Sequence, residues 1–220
     1  MSTSAARLVQ KSLPWLAALL ILKVTAAVLL KYVDYFPPNF NSDFLRGREQ
    51  TFWGSYQWAF YVHIVSGPVS LLLGLLLLST AFRRRYPLWH RRLGRIQGLC
   101  VLLMVVPSGL WMSFYAAAGP IAATAFASLS LATGFCTASG WRAAMQRHFK
   151  EHERWMQRSY LLLCSAVFIR ILGGLGTVLE VQSLWFDPIA SWVCWVVPLA
   201  ILEKSSVESR VSRARGGVEG

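Results

Sequence analysis

Six apolar runs, at residues 13–30, 58–80, 93–115, 119–140, 156–179 and 187–201, dominate this 220-residue chain. A run of about 20 mainly apolar residues is what an α-helix needs to cross the hydrocarbon of a bilayer. No water reaches that depth, so each spanning segment must bond its own backbone, and only helices and closed barrels manage that. Continuous rather than alternating hydrophobicity selects helices. The chain is therefore expected to be an all-α integral membrane bundle of six transmembrane helices. Its 55% hydrophobic content, with ten Trp, agrees, since soluble domains use about 45–50%. The sixth run is the shortest and carries Pro198.

A net charge of +12 raises the question of nucleic acid, and its distribution answers it. With six spans, Arg7 and Lys11, the arginines between 83 and 95, the basic residues between 142 and 158, and Lys204, Arg210, Arg213 and Arg215 all fall on one side. That side holds 17 of the 22 basic residues. The other has Lys31, Arg46 and Arg48, while Lys23 and Arg170 lie within spans. This is the positive-inside pattern of a bacterial inner-membrane protein with both termini cytoplasmic. The expected partners are membrane lipids, whose anionic headgroups the charge contacts, and a second copy of the chain or a larger membrane complex; nucleic acid is not expected.

The expected organisation is a cytoplasmic N-terminus at 1–12, a transmembrane domain at 13–202 and a disordered polar tail at 203–220. The first run, preceded by Arg7 and Lys11, reads as an uncleaved signal anchor, because no small-x-small cleavage site precedes Tyr32. The external loop at 31–57 carries Phe36, Phe40, Phe44, Phe52, Trp53 and Tyr56, a density that suits a lid lying at the membrane interface. Small residues crowd the fourth span and let neighbours approach closely, placing it centrally in the bundle. Gly94 and Gly98 make a GxxxG step in the third span, and Gly173, Gly174 and Gly176 loosen the fifth. Cys100, Cys136, Cys164 and Cys194 all fall inside spans without CxxC spacing, so neither a disulfide framework nor a zinc site is indicated.

Chemistry is concentrated in a few residues. His63 shares a helical face with Ser66, Gly67, Ser70 and Gly74, and His90 stacks over Gly94 and Gly98. A small-residue face beside an imidazole suits a flat cofactor such as haem b, and it equally suits close helix packing. His63, His90 and His152 are thus candidate haem or metal ligands, with His148 four residues before His152. Lys23 and Arg170 fall near the midplane, in the external half with His63, and no Asp or Glu lies within the runs around them. Such charge suits an anionic ligand; alternatively, Lys23 snorkels and Arg170 bonds backbone carbonyls. Arg91, Arg95 and Arg158 are candidate cytoplasmic-side anion or headgroup contacts, sitting where loops become helices.

VHIVSG in the second span, HRRLGR opening the third, and HERWMQRSY followed by FIRILGG in the fifth carry a resemblance. Between residues 50 and 180, through His63, His90, Arg91, Gly94, Arg95, His152, Trp155, Met156, Arg158 and Arg170, the chain resembles a family of predicted multi-pass membrane proteins, domain of unknown function 2306. The resemblance implies membrane location and helical architecture, and brings no activity or catalytic residue. Three functions stay open on the residues alone. They are a haem- or quinone-linked redox or ligand-binding module, a small anion carrier using Lys23, His63 and Arg170, and a structural accessory subunit of a membrane complex. No nucleophile elbow or paired carboxylates point to a hydrolase.

Overall fold

The computed structural model describes residues 3–42, 44–181 and 183–216, with side chains described between residues 12 and 208 of those ranges. The side chains of Arg7, Lys11, Arg210, Arg213 and Arg215, and residues 217–220 of the tail, lie outside the described residues. All regular structure among the described residues is helical. Six helical segments are long and apolar enough to cross a membrane: Ser12–Asp34, Ser55–Leu78, Pro87–Ser113, Gly119–Met145, Phe149–Val178 and Phe186–Glu208.

The first belongs to α1 (Thr3–Leu30), which tightens into a 3-10 turn at Lys31–Asp34. After a four-residue α2 (Glu49–Phe52), α3 (Ser55–Leu78) forms the second span. A short α4 (Thr80–Arg85) is capped by Ser79, whose hydroxyl accepts the Phe82 N–H at 3.3 Å. Then α5 (Pro87–Cys100), a π-helical turn at Val101–Val105 and α6 (Val106–Ser113) make the third span. The fourth is α7 (Gly119–Met145). Arg147, at φ 62°, turns the chain so that the His148 N–H reaches the Ala143 carbonyl at 2.9 Å, and α8 (Phe149–Leu163) starts at once. A break at Cys164 separates α8 from α9 (Ser165–Val178), and α10 (Phe186–Gly216) closes the bundle.

The sixth span runs to Glu208 rather than 201, and three further boundaries differ from the sequence reading by five or more residues. The third span starts at Pro87 rather than 93, the fifth at Phe149 rather than 156, and the fourth runs to Met145 rather than 140. A hydropathy window misses these turns because they are amphipathic: arginines go outward while one stripe packs inward. Pro87, at the first helical position, marks the true start of α5. The polar tail, expected to be disordered from 203, is helical to Gly216. Extending a helix already nucleated in the membrane requires propagation only, so a polar composition suffices. The fifth span breaks at Cys164, not at Gly173, Gly174 or Gly176.

The expected central place of the fourth span holds. α7 packs against α5, α6, α8 and α10, whereas among the described residues α1 packs against α3 and α9 besides its own 3-10 turn. Two glycines set the approach distances. A Cβ at Gly74 would run into the Tyr160 ring, and one at Gly98 into Trp141. In lipid, such close packing and interhelical hydrogen bonds replace the hydrophobic effect as the source of association. Buried polar residues supply the bonds: Thr137 Oγ1 and Ser159 Oγ lie 2.7 Å apart, and Tyr160 donates to the Leu71 carbonyl at 3.2 Å. The exposed surface is apolar, with Leu103, Phe114, Leu131 and Phe135 facing outward.

Residues 31–57 form a folded cap over the ends of α3 and α6. Leu45, Phe52 and Phe60 are fully buried there, joined by Tyr56 and packed on by Tyr35, Phe40, Met112 and Tyr115. Phe52 meets Phe40, Phe60 and Tyr56 at ring separations of 5.4, 5.6 and 6.1 Å, mostly edge to face, the favoured aromatic geometry. Arg48 pins the cap: its guanidinium donates to the Tyr115 carbonyl at 2.7 Å and to Tyr56 Oη at 3.2 Å.

Candidate functional site

The basic end of the bundle brings two of the singled-out histidines together. Helical spacing puts His90, Leu93, Gly94, Gln97 and Gly98 on the inward stripe of α5, while Trp89, Arg92, Ile96 and Leu99 are exposed. α8 presents His152, with Ser159 and Leu163 buried seven and eleven residues further along the same face. His90 lies within electrostatic reach of His152 and of Arg83, which bonds Glu153 at 3.3 Å.

The hydrogen bonds of these imidazoles are unequal. His152 Nδ1 is 2.8 Å from the Gly140 carbonyl. A carbonyl only accepts, so Nδ1 carries the proton and Nε2 keeps a lone pair. A ring held in this way, with Nδ1–H on a backbone carbonyl, is the usual arrangement of a histidine that ligates through Nε2. Nδ1 of His90 is buried without a hydrogen-bond partner, and so is Oε1 of Gln97, seven residues along the same face. Between them, a Cβ added at Gly94 would meet nothing within 4 Å. Leaving a buried polar atom unpaired costs about 1–3 kcal/mol. Both are polar atoms that a bound group with a hydrogen-bonding partner to offer would satisfy.

The remaining basic-end residues separate into two kinds. Arg91 and Arg95 are exposed and make no hydrogen bond or ion pair among the described residues. Arg158 is committed elsewhere: its guanidinium grips Glu203 with both ends, Nη2 to Oε2 at 2.9 Å, and stacks over Trp155 at 4.8 Å. The sequence reading missed Glu203 because it lies 45 residues away, in the stretch expected to be disordered. His148 precedes α8 and pairs loosely with Glu151 at 3.7 Å, so it does not join His152.

His63 occupies a second place, toward the capped end. Its Nδ1 is 3.0 Å from Ser108 Oγ, which itself donates to the carbonyls of Met104 and Val105 at the π-turn. The Val105 carbonyl also accepts a hydrogen bond from the His63 ring, so the imidazole is tied to the π-turn through both Ser108 and Val105. The Arg170 charge acts on His63, Tyr32 and Tyr35. Tyr32 Oη donates to the Ile64 carbonyl beside His63. Arg170 is exposed at the protein surface; its one hydrogen bond among the described residues is to the Ala166 carbonyl at 2.6 Å, and Glu180 is not its partner. Lys23 does not join this group. It is exposed on α1, off the face that buries Ile21 and Thr25, and makes no polar contact among the described residues.

No cluster of three or more His, Cys, Asp or Glu side chains that could hold a metal ion occurs among the described residues, and the four cysteines are free. Gln97, Ser108 and the π-turn escaped the sequence reading. Gln97 was within its reach, being two helical turns from His90. The π-turn leaves no comparable mark in the sequence.

Fold and site together define an all-helical, multi-pass integral membrane protein with polar groups gathered inside the bundle. Within that class, the family model described as predicted membrane protein DUF2306 matches residues 60–204, and the chain belongs to this family. Neither a curated protein nor a solved structure matches it.

Proposed function

We propose that this protein is a redox module of the bacterial inner membrane, with both termini cytoplasmic, that holds one haem b between His90 and His152. The observation supporting this reading is a His152 ring held by Nδ1 on the Gly140 carbonyl, within electrostatic reach of a buried, unpartnered His90 nitrogen on another helix. Two imidazoles are enough protein ligands, because the porphyrin supplies the other four nitrogens. The open space at Gly94 leaves room beside the pair. Arg91 and Arg95, exposed at the same end, supply charge for propionates. Bound haem would contribute one-electron transfer within the membrane.

An oxidised-minus-reduced absorption spectrum of detergent-purified protein, from cells supplied with haem precursor, tests the reading. A Soret band with sharp reduced bands, lost in His90→Ala and in His152→Ala, is expected. A featureless spectrum from folded protein overturns it. The weak hold of α1, which buries only a narrow face against α3 and α9, favours a second reading: a subunit that packs against another copy or a larger membrane complex.

A further inference from the structure

The outward stripe of α5 is left over once His90 and Gln97 are assigned to the inward one. Trp89, Arg92, Ile96 and Leu99 follow one another along it at helical spacing, all exposed, and Leu103 prolongs it into the π-turn. A cation here shares its helix face with side chains that lipid covers. From Arg92 to Ser113, the other end of the span, is about 30 Å of helix, which is the thickness of the hydrocarbon. With Ser113 at one boundary of the bilayer, Arg92 stands at the other, level with the phosphates. Its guanidinium lies over the Trp89 ring, 5.8 Å from the centroid. Stacking of that kind occupies the flat face of the group and leaves the N–H donors around its edge available. Arg91 and Arg95 are its neighbours on α5, a helix with no Asp or Glu, so three like charges stand together. No carboxylate pairs with any of them among the described residues, and that of Glu153 is taken by Arg83.

We propose that this stripe binds one anionic phospholipid in the leaflet at the basic end: the phosphate accepts from the Arg92 guanidinium beside the Trp89 ring, and an acyl chain lies along Ile96, Leu99 and Leu103. A soluble anion would satisfy the guanidinium and leave the apolar stripe next to it uncovered. A zwitterionic lipid would cover the stripe and bring a further cation to a helix that already carries three. An anionic lipid meets both demands, a Trp ring at the interface being the usual neighbour of a headgroup. The stripe points away from His90 and Gln97, so the lipid claim stands whether or not haem sits between the histidines. It also differs from general headgroup contact along the basic loops, which depends on how many cations there are and not on which one is removed.

Native mass spectrometry of the full chain, released from detergent after titration with phosphatidylglycerol or with phosphatidylcholine of the same acyl chains, counts the lipids that stay bound. One phosphatidylglycerol should be held about tenfold more tightly than phosphatidylcholine, the return on a charge-assisted hydrogen bond. Arg92→Gln should weaken phosphatidylglycerol by about tenfold and leave phosphatidylcholine unchanged. Arg92→Lys keeps the charge and loses the planar stack, and should give a smaller loss of about threefold. Arg142→Gln removes the same charge from an exposed position at the same end, on α7, and should alter neither lipid. Because Arg92 is itself exposed, these variants leave the packing of the bundle untouched. Equal binding of the two lipids to the wild type overturns the assignment, as does unchanged affinity in Arg92→Gln. An equal loss in Arg142→Gln would replace the site with a diffuse field. Full displacement by inorganic phosphate would make it a site for a soluble anion, and a dimer that excludes phosphatidylglycerol and is broken by Arg92→Gln would give the stripe to a second copy of the chain; either result also overturns it. None of these readouts involves haem.

Discussion

The cap at 31–57 and the histidine pair at the opposite end are both polar-aromatic clusters at the rim of the same bundle, yet they are finished to different degrees. In the cap, Arg48 has two carbonyls, a phenol and two ring faces, and the buried rings of Phe52 and Phe60 are enclosed on every side. At the other end, His90 and Gln97 each bury an atom that bonds nothing. A cluster that satisfies itself holds a fold together. One that does not is a place where stability has been left unclaimed, to be supplied by whatever binds.

If that contrast is right, damage to the cap should reduce stability and spare the basic-end ligand, and damage to the histidines should do the reverse. The largest effect is expected for Phe52→Ala. Removing this buried ring should cost about 3–5 kcal/mol, read as a lower unfolding midpoint in detergent, with an unaltered haem spectrum in whatever remains folded. Arg48→Ala should follow at about 1.5–3 kcal/mol, because its donors bond a carbonyl and a phenol that are left without it. His90→Phe should raise the unfolding midpoint of haem-free protein by about 1 kcal/mol, since an unpartnered buried nitrogen disappears, while abolishing the reduced bands. A lower midpoint for that variant would mean the pair is structural. The smallest effect belongs to Thr137→Val. Interhelical hydrogen bonds in membranes average about 0.6 kcal/mol, so loss of the Thr137–Ser159 bond should shift the midpoint barely above error and leave the haem spectrum intact.

How far these two regions could be read from the sequence follows from the physics of each. The spans declared themselves because lipid enforces a long apolar run whatever the helix touches. The central position of the fourth was legible through its small side chains. The placing of His90 and His152 at the starts of α5 and α8 was visible as a repeated pattern, a histidine and arginines opening a helix. Its quality was not, because whether Nδ1 of His90 finds a partner depends on three helices at once. The cap was underestimated for a related reason: aromatic residues at an interface look alike whether they face headgroups or one another, and only the burial of Leu45, Phe52 and Phe60 distinguishes the cases. Lys23 and Arg170 looked equivalent in the sequence, yet Lys23 makes no polar contact among the described residues while Arg170 bonds the Ala166 carbonyl and lies within electrostatic reach of Tyr32.

The π-helical turn at Val101–Val105 divides the third span into two halves with independent angular settings. One residue more in a turn rotates everything beyond it by about 100° relative to a regular helix. Ser108 is eleven residues past Gln97, three helical turns, and in an unbroken helix it would look the same way as His90 and Gln97. The extra residue turns it toward His63 instead. Deleting a single residue between 101 and 105 would re-aim the whole of α6 while leaving His90 and Gln97 where they are. The two ends of the bundle can therefore diverge separately among related chains, the turn acting as a clutch between them.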